Sequence, residues 1–96
     1  DAGVGGRLGG VLGRKLSGLG RVRQVLCVTH QPQIAAYAQR QLKVEKSSAE
    51  GGTVIRVAAV SGERRVDELA VMLRGAAASA HTRLEAAAML KEAQES

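Results

Sequence analysis

Hydrophobic residues recur with a helical period over the first part of the chain. Between residues 3 and 20 the apolar side chains form one stripe, made up of Val4, Leu8, Val11, Leu12, Leu16 and Leu19. This range also holds eight of the 12 glycines, and each interior glycine costs a helix about 0.8–1 kcal/mol relative to alanine. The pattern therefore predicts a helix that is stable only when it packs tightly against another part of the molecule.

A short continuous apolar run follows, and it ends on a histidine. Residues 24–29 include Val25-Leu26-Cys27-Val28, which is typical of a strand buried on both faces in a parallel sheet. We therefore expect the single cysteine, Cys27, to be a packed core thiol of a protein in a reducing compartment. Pro32 suits the first turn of a helix, where its missing N–H costs nothing, and this helix is predicted to continue to Gln39.

Two alternating segments predict a β-hairpin over residues 41–60. Apolar and polar side chains alternate in residues 41–47 and again in residues 53–60, and residues 48–52 have the composition of a turn. The pattern predicts two antiparallel strands joined by a loop of about five residues.

The last part of the chain has the pattern of two helices, over residues 63–74 and 79–94. Gly75 is placed to end the first helix, and the second begins at either Ser79 or Thr82. Taken together, the elements indicate an α/β fold with one or more central parallel strands, an antiparallel edge hairpin and flanking helices.

Composition limits the chain to one small domain with an aliphatic core. The 96 residues are 45% hydrophobic, but Tyr37 is the only aromatic residue. Residues 1–46 carry eight basic and two acidic residues, a net charge of +6, whereas residues 47–96 carry six and seven, a net charge of −1. The basic half suits a phosphate or a nucleic acid as partner. The alternative is a solvated basic helix face, formed by Arg7, Arg14, Lys15 and Arg21.

Thr29-His30 stands where the predicted strand ends, a position at which open α/β sheets bind ligands. Either ring nitrogen of His30 can donate a hydrogen bond to a phosphate oxygen, and a helix starting at Pro32 would present N–H groups to an anion. From the residues alone, His30 is either a phosphate contact or a structural histidine.

Two stretches resemble a known family. Val25-Leu26-Cys27-Val28-Thr29-His30-Gln31-Pro32-Gln33-Ile34-Ala35 resembles the switch-histidine segment of the ABC-type ATPase heads of SMC-like proteins, and most closely that of the RecN family of bacterial DNA double-strand-break repair proteins. The opening Asp1-Ala2-Gly3-Val4-Gly5-Gly6-Arg7 is similar to the D-loop that follows the Walker B motif in that family. Residues 42–46, 53–57 and 65–73 are similar to the family's C-terminal stretch. The resemblance covers nearly the whole chain and weakens after residue 75.

The resemblance implies that residues 1–96 are the C-terminal part of an ATPase head. Residues 1–3 would form the D-loop, residues 24–33 the switch-histidine strand and loop, residues 41–60 the edge hairpin and residues 63–94 the C-terminal helices. ATP and Mg²⁺ would be bound mainly by parts of the protein outside this chain, and DNA would be bound by the intact protein. The other implied partners are the N-terminal half of the head, a coiled coil and a second head in a homodimer. The implied location is the bacterial cytoplasm, with the nucleoid and away from membranes.

By the same resemblance His30 is the switch histidine, a catalytic residue that senses the γ-phosphate and helps to hold the attacking water. Asp1, Ala2 and Gly3 would contribute to the nucleotide site as the D-loop, in which Asp1 lies against the opposite subunit. The implied function is to complete the ATP site of a protein that acts in DNA repair and recombination.

Parts of an ATPase head are missing from the sequence. No G-x-x-x-x-G-K-[ST] phosphate loop occurs, and the Walker B acids would precede Asp1. Leu16-Ser17-Gly18-Leu19-Gly20 is similar to an ABC signature, but it follows the D-loop instead of preceding Walker B, and Leu19 interrupts it. We therefore expect the intact protein to hydrolyse ATP to ADP and phosphate, and this segment alone not to.

Two alternatives to a RecN-like ATPase head are also compatible with the sequence. The chain would then be the head segment of another SMC-like or ABC-type ATPase, or a non-enzymatic basic α/β module that binds nucleic acid. We interpret His81 as a surface residue, and Arg64-Arg65 with Asp67-Glu68 as a mixture of exposed charges on a helix.

Overall fold

The structure, a computed structural model, describes residues 5–96 and, in the first helix, the side chains from Arg7 onward. It contains four helices and two strands among these residues. In chain order they are α1 (Gly5–Gly20), α2 (Pro32–Ala35), β1 (Gln41–Ala49), β2 (Gly52–Val60), α3 (Gly62–Arg74) and α4 (Ala80–Gln94). Within residues 5–96, no helix is both long and apolar enough to cross a membrane.

The predicted mixed α/β class and the antiparallel hairpin are confirmed. β1 and β2 pair in one register, from Gln41 opposite Val60 to Ala49 opposite Gly52. The connecting loop is therefore two residues long, shorter than the predicted five. Gly51 has a φ of 89°, which suits a two-residue hairpin turn, because such turns require a conformation that glycine adopts without strain.

The central parallel strand predicted at residues 24–29 is not formed. The described residues contain one two-stranded sheet, β1 with β2, so residues 24–29 have no neighbouring strand in it. Their side chains are exposed as a consequence: Leu26 is 82% exposed and Val28 is 95% exposed. Cys27, which we expected in the core, is also exposed. A parallel strand depends on partners distant in sequence, which an apolar run does not supply by itself.

The core lies between the last two helices and the segment that follows α2. Its buried members are Ala35, Ala36, Leu69, Ala70, Ala86 and Ala93. Leu69 is the only one with a large side chain, and partly buried residues such as Tyr37, Val66 and Met89 complete the cluster. The predicted aliphatic core is therefore small and rich in alanine, which lets α3 and α4 approach closely.

Both predicted boundaries of the last helices are borne out. Gly75 caps α3 with a φ of 88°, and its N–H donates to the carbonyl of Val71. Ser79 caps α4, because its hydroxyl accepts a hydrogen bond from the N–H of Thr82 at 3.2 Å. Of the two start positions left open by the sequence, Ser79 is the one used.

Helix α1 packs through its glycines, not through its apolar stripe. A methyl group added at Gly13 would lie 2.6 Å from Cδ2 of Tyr37, so the ring occupies the space that a side chain would need. Leu8, Leu12 and Leu19 of the predicted stripe are 52%, 44% and 45% exposed. The tight packing expected of this helix is present, but the packed face is the one that lacks side chains, and the dependence of its stability on that packing stays a prediction.

This contact predicts opposite effects for two glycines of the same helix. Gly13→Ala should lower the free energy of unfolding by about 1–3 kcal/mol, because the new methyl overlaps Tyr37 and the carbonyl of Gln33. Gly18→Ala should leave it unchanged or raise it by up to about 1 kcal/mol, because that position is open and alanine favours helix. Urea denaturation measures both, and equal midpoints for the two variants would contradict the packing described.

Candidate functional site

His30 is exposed and lies at the start of a compact turn. We call residues 29–38 the histidine turn. The hydroxyl Oγ1 of Thr29 accepts a hydrogen bond from the N–H of Gln31 at 3.0 Å, which bends the chain around His30. The carbonyl of Gln31 then accepts from the N–H groups of Ile34 and Ala35, both at 3.1 Å. His30 is thus joined to a continuously hydrogen-bonded segment.

The helix in this turn is shorter than predicted. Helix α2 ends at Ala35 and not near Gln39, although its first residue is Pro32 as expected. The N–H groups of Tyr37 and Ala38 bond to carbonyls three residues earlier, which tightens the chain out of the α-helical path. The carbonyls of Ala35, Ala36 and Ala38 accept hydrogen bonds from distant side chains instead.

Arg65 of α3 supplies one set of those bonds and is buried, so the interpretation of its charge as exposed was wrong. Its Nη2 lies 2.7 Å from the carbonyl oxygen of Ala38, 3.1 Å from that of Ala35 and 3.4 Å from that of Ala36. Its Nε donates to Oε1 of Gln41 at 3.0 Å. Burial lowers the pKa of Arg65 from its ordinary value. The hydrogen bonds to neutral oxygens offset the loss of water around the charge.

Gln94, at the end of α4, supplies the second set. Its Nε2 donates to the carbonyls of Ala36 at 2.7 Å and of Ala38 at 2.9 Å. We call Arg65 and Gln94 together the carbonyl clamp. The clamp connects both C-terminal helices to the far end of the histidine turn.

Helix α1 also contacts the histidine turn, through residues near its start. A methyl group at Gly9 would lie 3.1 Å from Oε1 of Gln31 and 3.1 Å from Cβ of Gln33. Gln31 and Gln33 therefore pack against the face of α1 that carries Gly9 and Gly13, which we call the glycine face. Gln31 and Gln33 have a packing role there, which the sequence did not indicate.

The hairpin is attached at the base of β1. Gln41 joins Arg65 as described, and Nζ of Lys43 pairs with Oε1 of Glu68 on α3 at 3.1 Å. The hydrogen bond and the charge of Glu68 raise the pKa of Lys43 above its ordinary value. The opposite face of the hairpin is apolar and exposed; it includes Leu42, Val44, Ile55 and Val57.

A cleft of about 340 Å³ lies between α1, the histidine turn and α4. Tyr37 lines it together with the carboxylates of Glu85 and Glu92. The residues that line it include two acidic ones and no basic one, which does not favour binding of a triphosphate. His30 is not among the residues that line this cleft.

The other predicted site residues lie outside the described part of the chain. Asp1, Ala2 and Gly3 precede residue 5, so the D-loop assignment stays a prediction, as does a contact between His30 and ATP. Among the described residues, no group of three or more His, Cys, Asp or Glu side chains could hold a metal ion. His81 is exposed on α4, as predicted.

Signals for the missed residues are present in the sequence. Arg65 precedes Leu69 by four positions and Met72 by seven, so it falls on the buried stripe of α3. Gly9 and Gly13 are four positions apart and share one helix face. Gln94 gives no comparable signal, because its partners are 56 and 58 positions earlier in the chain.

The contrast between Arg64 and Arg65 gives a matched test of the clamp. Arg65→Met should lower the free energy of unfolding by about 1–3 kcal/mol, because it leaves Oε1 of Gln41 without its donor and removes one donor from each of the carbonyls of Ala35, Ala36 and Ala38. Arg64→Met, at the exposed neighbouring position, should change it by less than about 0.5 kcal/mol. Chemical denaturation of both variants checks this, and a neutral Arg65→Met would show that the buried bonds contribute nothing net.

Comparison with known proteins places the chain in a family. No family model matches it. The protein named DNA repair protein RecN of Streptomyces coelicolor is 46% identical over 94 residues, which are 98% of this chain and 16% of that protein. RecN of Xylella fastidiosa (strain 9a5c) is 38% identical over 95 residues, 99% of this chain and 17% of that protein. RecN of Deinococcus radiodurans is 47% identical over 75 residues, 78% and 13% respectively.

The chain spans about one sixth of the length of the first two of these relatives. The aligned residues make up nearly all of this chain. The chain belongs to the RecN family of DNA repair proteins and corresponds to the C-terminal part of these relatives.

Proposed function

We propose that this chain supplies the γ-phosphate-sensing histidine of the ATPase head of a RecN-family protein that acts in DNA repair and recombination. The observation that carries the proposal is that His30 is exposed at the start of a turn that is in contact with α1, α3 and α4. Catalysis by positioning requires a polar group that reaches the ligand from a rigid support. The exposed imidazole of His30 and the hydrogen-bonded turn that follows it support this role, and the family relationship supports the reaction.

In this proposal the imidazole of His30 donates a hydrogen bond to an oxygen of the γ-phosphate and orients the attacking water. Phosphoryl transfer needs little covalent chemistry from the protein, because most of the acceleration comes from alignment and charge stabilisation. Mg²⁺, when bound with ATP, neutralises charge that develops on the phosphate oxygens. Asp1, Ala2 and Gly3 would approach the facing head of a homodimer as the D-loop.

The exposed segment before His30 supports a role within a larger head. Leu26 and Val28 are almost fully exposed here, although their sequence is typical of a doubly buried strand. Strands from the rest of a longer polypeptide would cover them, which agrees with relatives about six times as long as this chain. Pairing of residues 24–29 would place His30 at the carboxyl end of a central strand.

The histidines of the chain provide a test with an internal control. In a full-length RecN-family protein carrying this segment, His30→Ala should lower the kcat for ATP hydrolysis about 10²-fold, as expected for loss of one donor to the transition state. His81→Ala, at the other histidine, should retain kcat. Steady-state phosphate release measures both, and circular dichroism verifies that each variant is folded.

Unchanged turnover in folded His30→Ala would refute the catalytic assignment. The isolated 96-residue chain should release no phosphate from ATP, because it has no phosphate loop.

A second candidate function, nucleic-acid binding without nucleotide, is favoured by the charge distribution. Residues 2–44 contain seven basic residues and no acidic one. Arg7, Arg14, Lys15 and Arg21 are all exposed, and the packed glycine face turns them outward. Arg7 and Arg14 are two helical turns apart, about 10.5 Å along the axis of α1. This spacing suits contacts to separate phosphates of one duplex.

Salt dependence tests this second candidate. If the basic face binds DNA, the double variant Arg7→Gln/Arg14→Gln should reduce the slope of log affinity against log salt by about 2. The control Arg56→Gln/Arg64→Gln removes two exposed arginines from the acidic half of the chain and should keep the slope. Fluorescence anisotropy with a duplex at several salt concentrations provides the slopes, and identical slopes for all three proteins would exclude this face as the contact.

A further inference from the structure

The carbonyl clamp is more elaborate than the end of a four-residue helix requires. A short helix commonly ends in a glycine cap, or its last carbonyls bond to water. Here the carbonyls of Ala35, Ala36 and Ala38 receive hydrogen bonds from Arg65 and Gln94 instead. These donors come from two different helices, and one of them is a buried guanidinium.

The clamp is connected to His30 by a short chain of hydrogen bonds. The clamped residue Ala35 donates its N–H to the carbonyl of Gln31, and Gln31 donates its own N–H to Thr29. The first of these bonds follows His30 in the sequence, and the second spans it. Gln31, Gln33 and Tyr37 of the turn are in close contact with Gly9 and Gly13 of α1. A movement of the residues bound by Arg65 and Gln94 would therefore bring the turn into steric conflict with α1.

We propose that Arg65 and Gln94 are positioning residues for ATP hydrolysis, which act through the histidine turn to fix where the His30 imidazole meets the γ-phosphate. The inference rests on the proposed function, and neither clamp residue contacts nucleotide. Because α3 and α4 both bind the turn, the two C-terminal helices determine the position of the His30 imidazole, although they do not contact the nucleotide. A displacement of the reacting groups by about 1 Å is enough to cost about 10²-fold in rate.

Gln94 is the better residue to change, because its replacement should disturb folding less than replacement of the buried Arg65. Its hydrogen bond to Ala36 is partly buried, and its hydrogen bond to Ala38 is exposed. In a full-length RecN-family protein carrying this segment, Gln94→Ala should fold with a nearly unchanged unfolding midpoint. Its kcat for ATP should fall by about three- to tenfold, while the KM and the affinity for a fluorescent ATP analogue stay within about twofold. A kcat equal to that of the unmodified protein would overturn the inference.

Arg65 provides a graded series on the same readouts. Arg65→Met should lower kcat by about tenfold or more in the folded, nucleotide-binding fraction, and Arg65→Lys should recover part of the loss, because it restores a cationic donor but not the planar fork. Arg64→Met is the control and should keep kcat. If the lysine variant is no better than the methionine variant in both kcat and midpoint, Arg65 is only a packing residue.

A double-mutant cycle separates the clamp from the histidine itself. If Gln94 acts through His30, then adding Gln94→Ala to His30→Ala should cause little further loss of kcat. Fully additive losses would show that Gln94 acts by another route and would overturn the inference while leaving the proposed function intact. Full activity of His30→Ala alone would instead overturn the proposed function, so the two failures are distinct.

Discussion

Among residues 5–96 no carboxylate pairs with the buried guanidinium of Arg65, so neutral oxygens satisfy its donors, and this requirement organises the structure around Arg65. Its partners are the side chain of Gln41 and the carbonyls of Ala35, Ala36 and Ala38. One side chain therefore fixes the mutual positions of α3, the first residue of β1 and the histidine turn. The orientation of the hairpin and the path of the chain after His30 both depend on it.

The second constraint is the close approach of α1. A helix with so many glycines is weak by itself, and the structure shows what the glycines provide: room for Tyr37, Gln31 and Gln33 against the helix backbone. The consequence is that Leu8, Leu12 and Leu19 of α1 are exposed, as are Leu26, Val28 and one face of the hairpin. So much exposed apolar surface is unusual for a domain that works alone, and it agrees with a segment that matches about one sixth of its relatives.

The features that local pattern could predict were the hairpin, the two C-terminal helices, the Gly75 cap and the aliphatic core, since each depends on residues close in sequence. The missed features depend on distant partners. Residues 24–29 have the composition of a strand but no strand to pair with among residues 5–96. Helix α2 ends early, at the point where side chains from α3 and α4 bind the carbonyls of residues 35, 36 and 38. Arg65 was assigned to the surface on its charge, although its spacing from Leu69 placed it on the buried stripe.

The central claim is that a clamped turn presents His30 to the terminal phosphate of ATP. A structure of a full-length RecN-family protein carrying this segment, with a non-hydrolysable ATP analogue bound, tests it most directly. We expect residues 24–29 to be paired in a parallel sheet, and a ring nitrogen of His30 to lie about 3 Å from a γ-phosphate oxygen or from the water in line with it. An imidazole about 10 Å or more from the phosphate in the closed, nucleotide-bound head, beyond the reach of one bridging water, would contradict it.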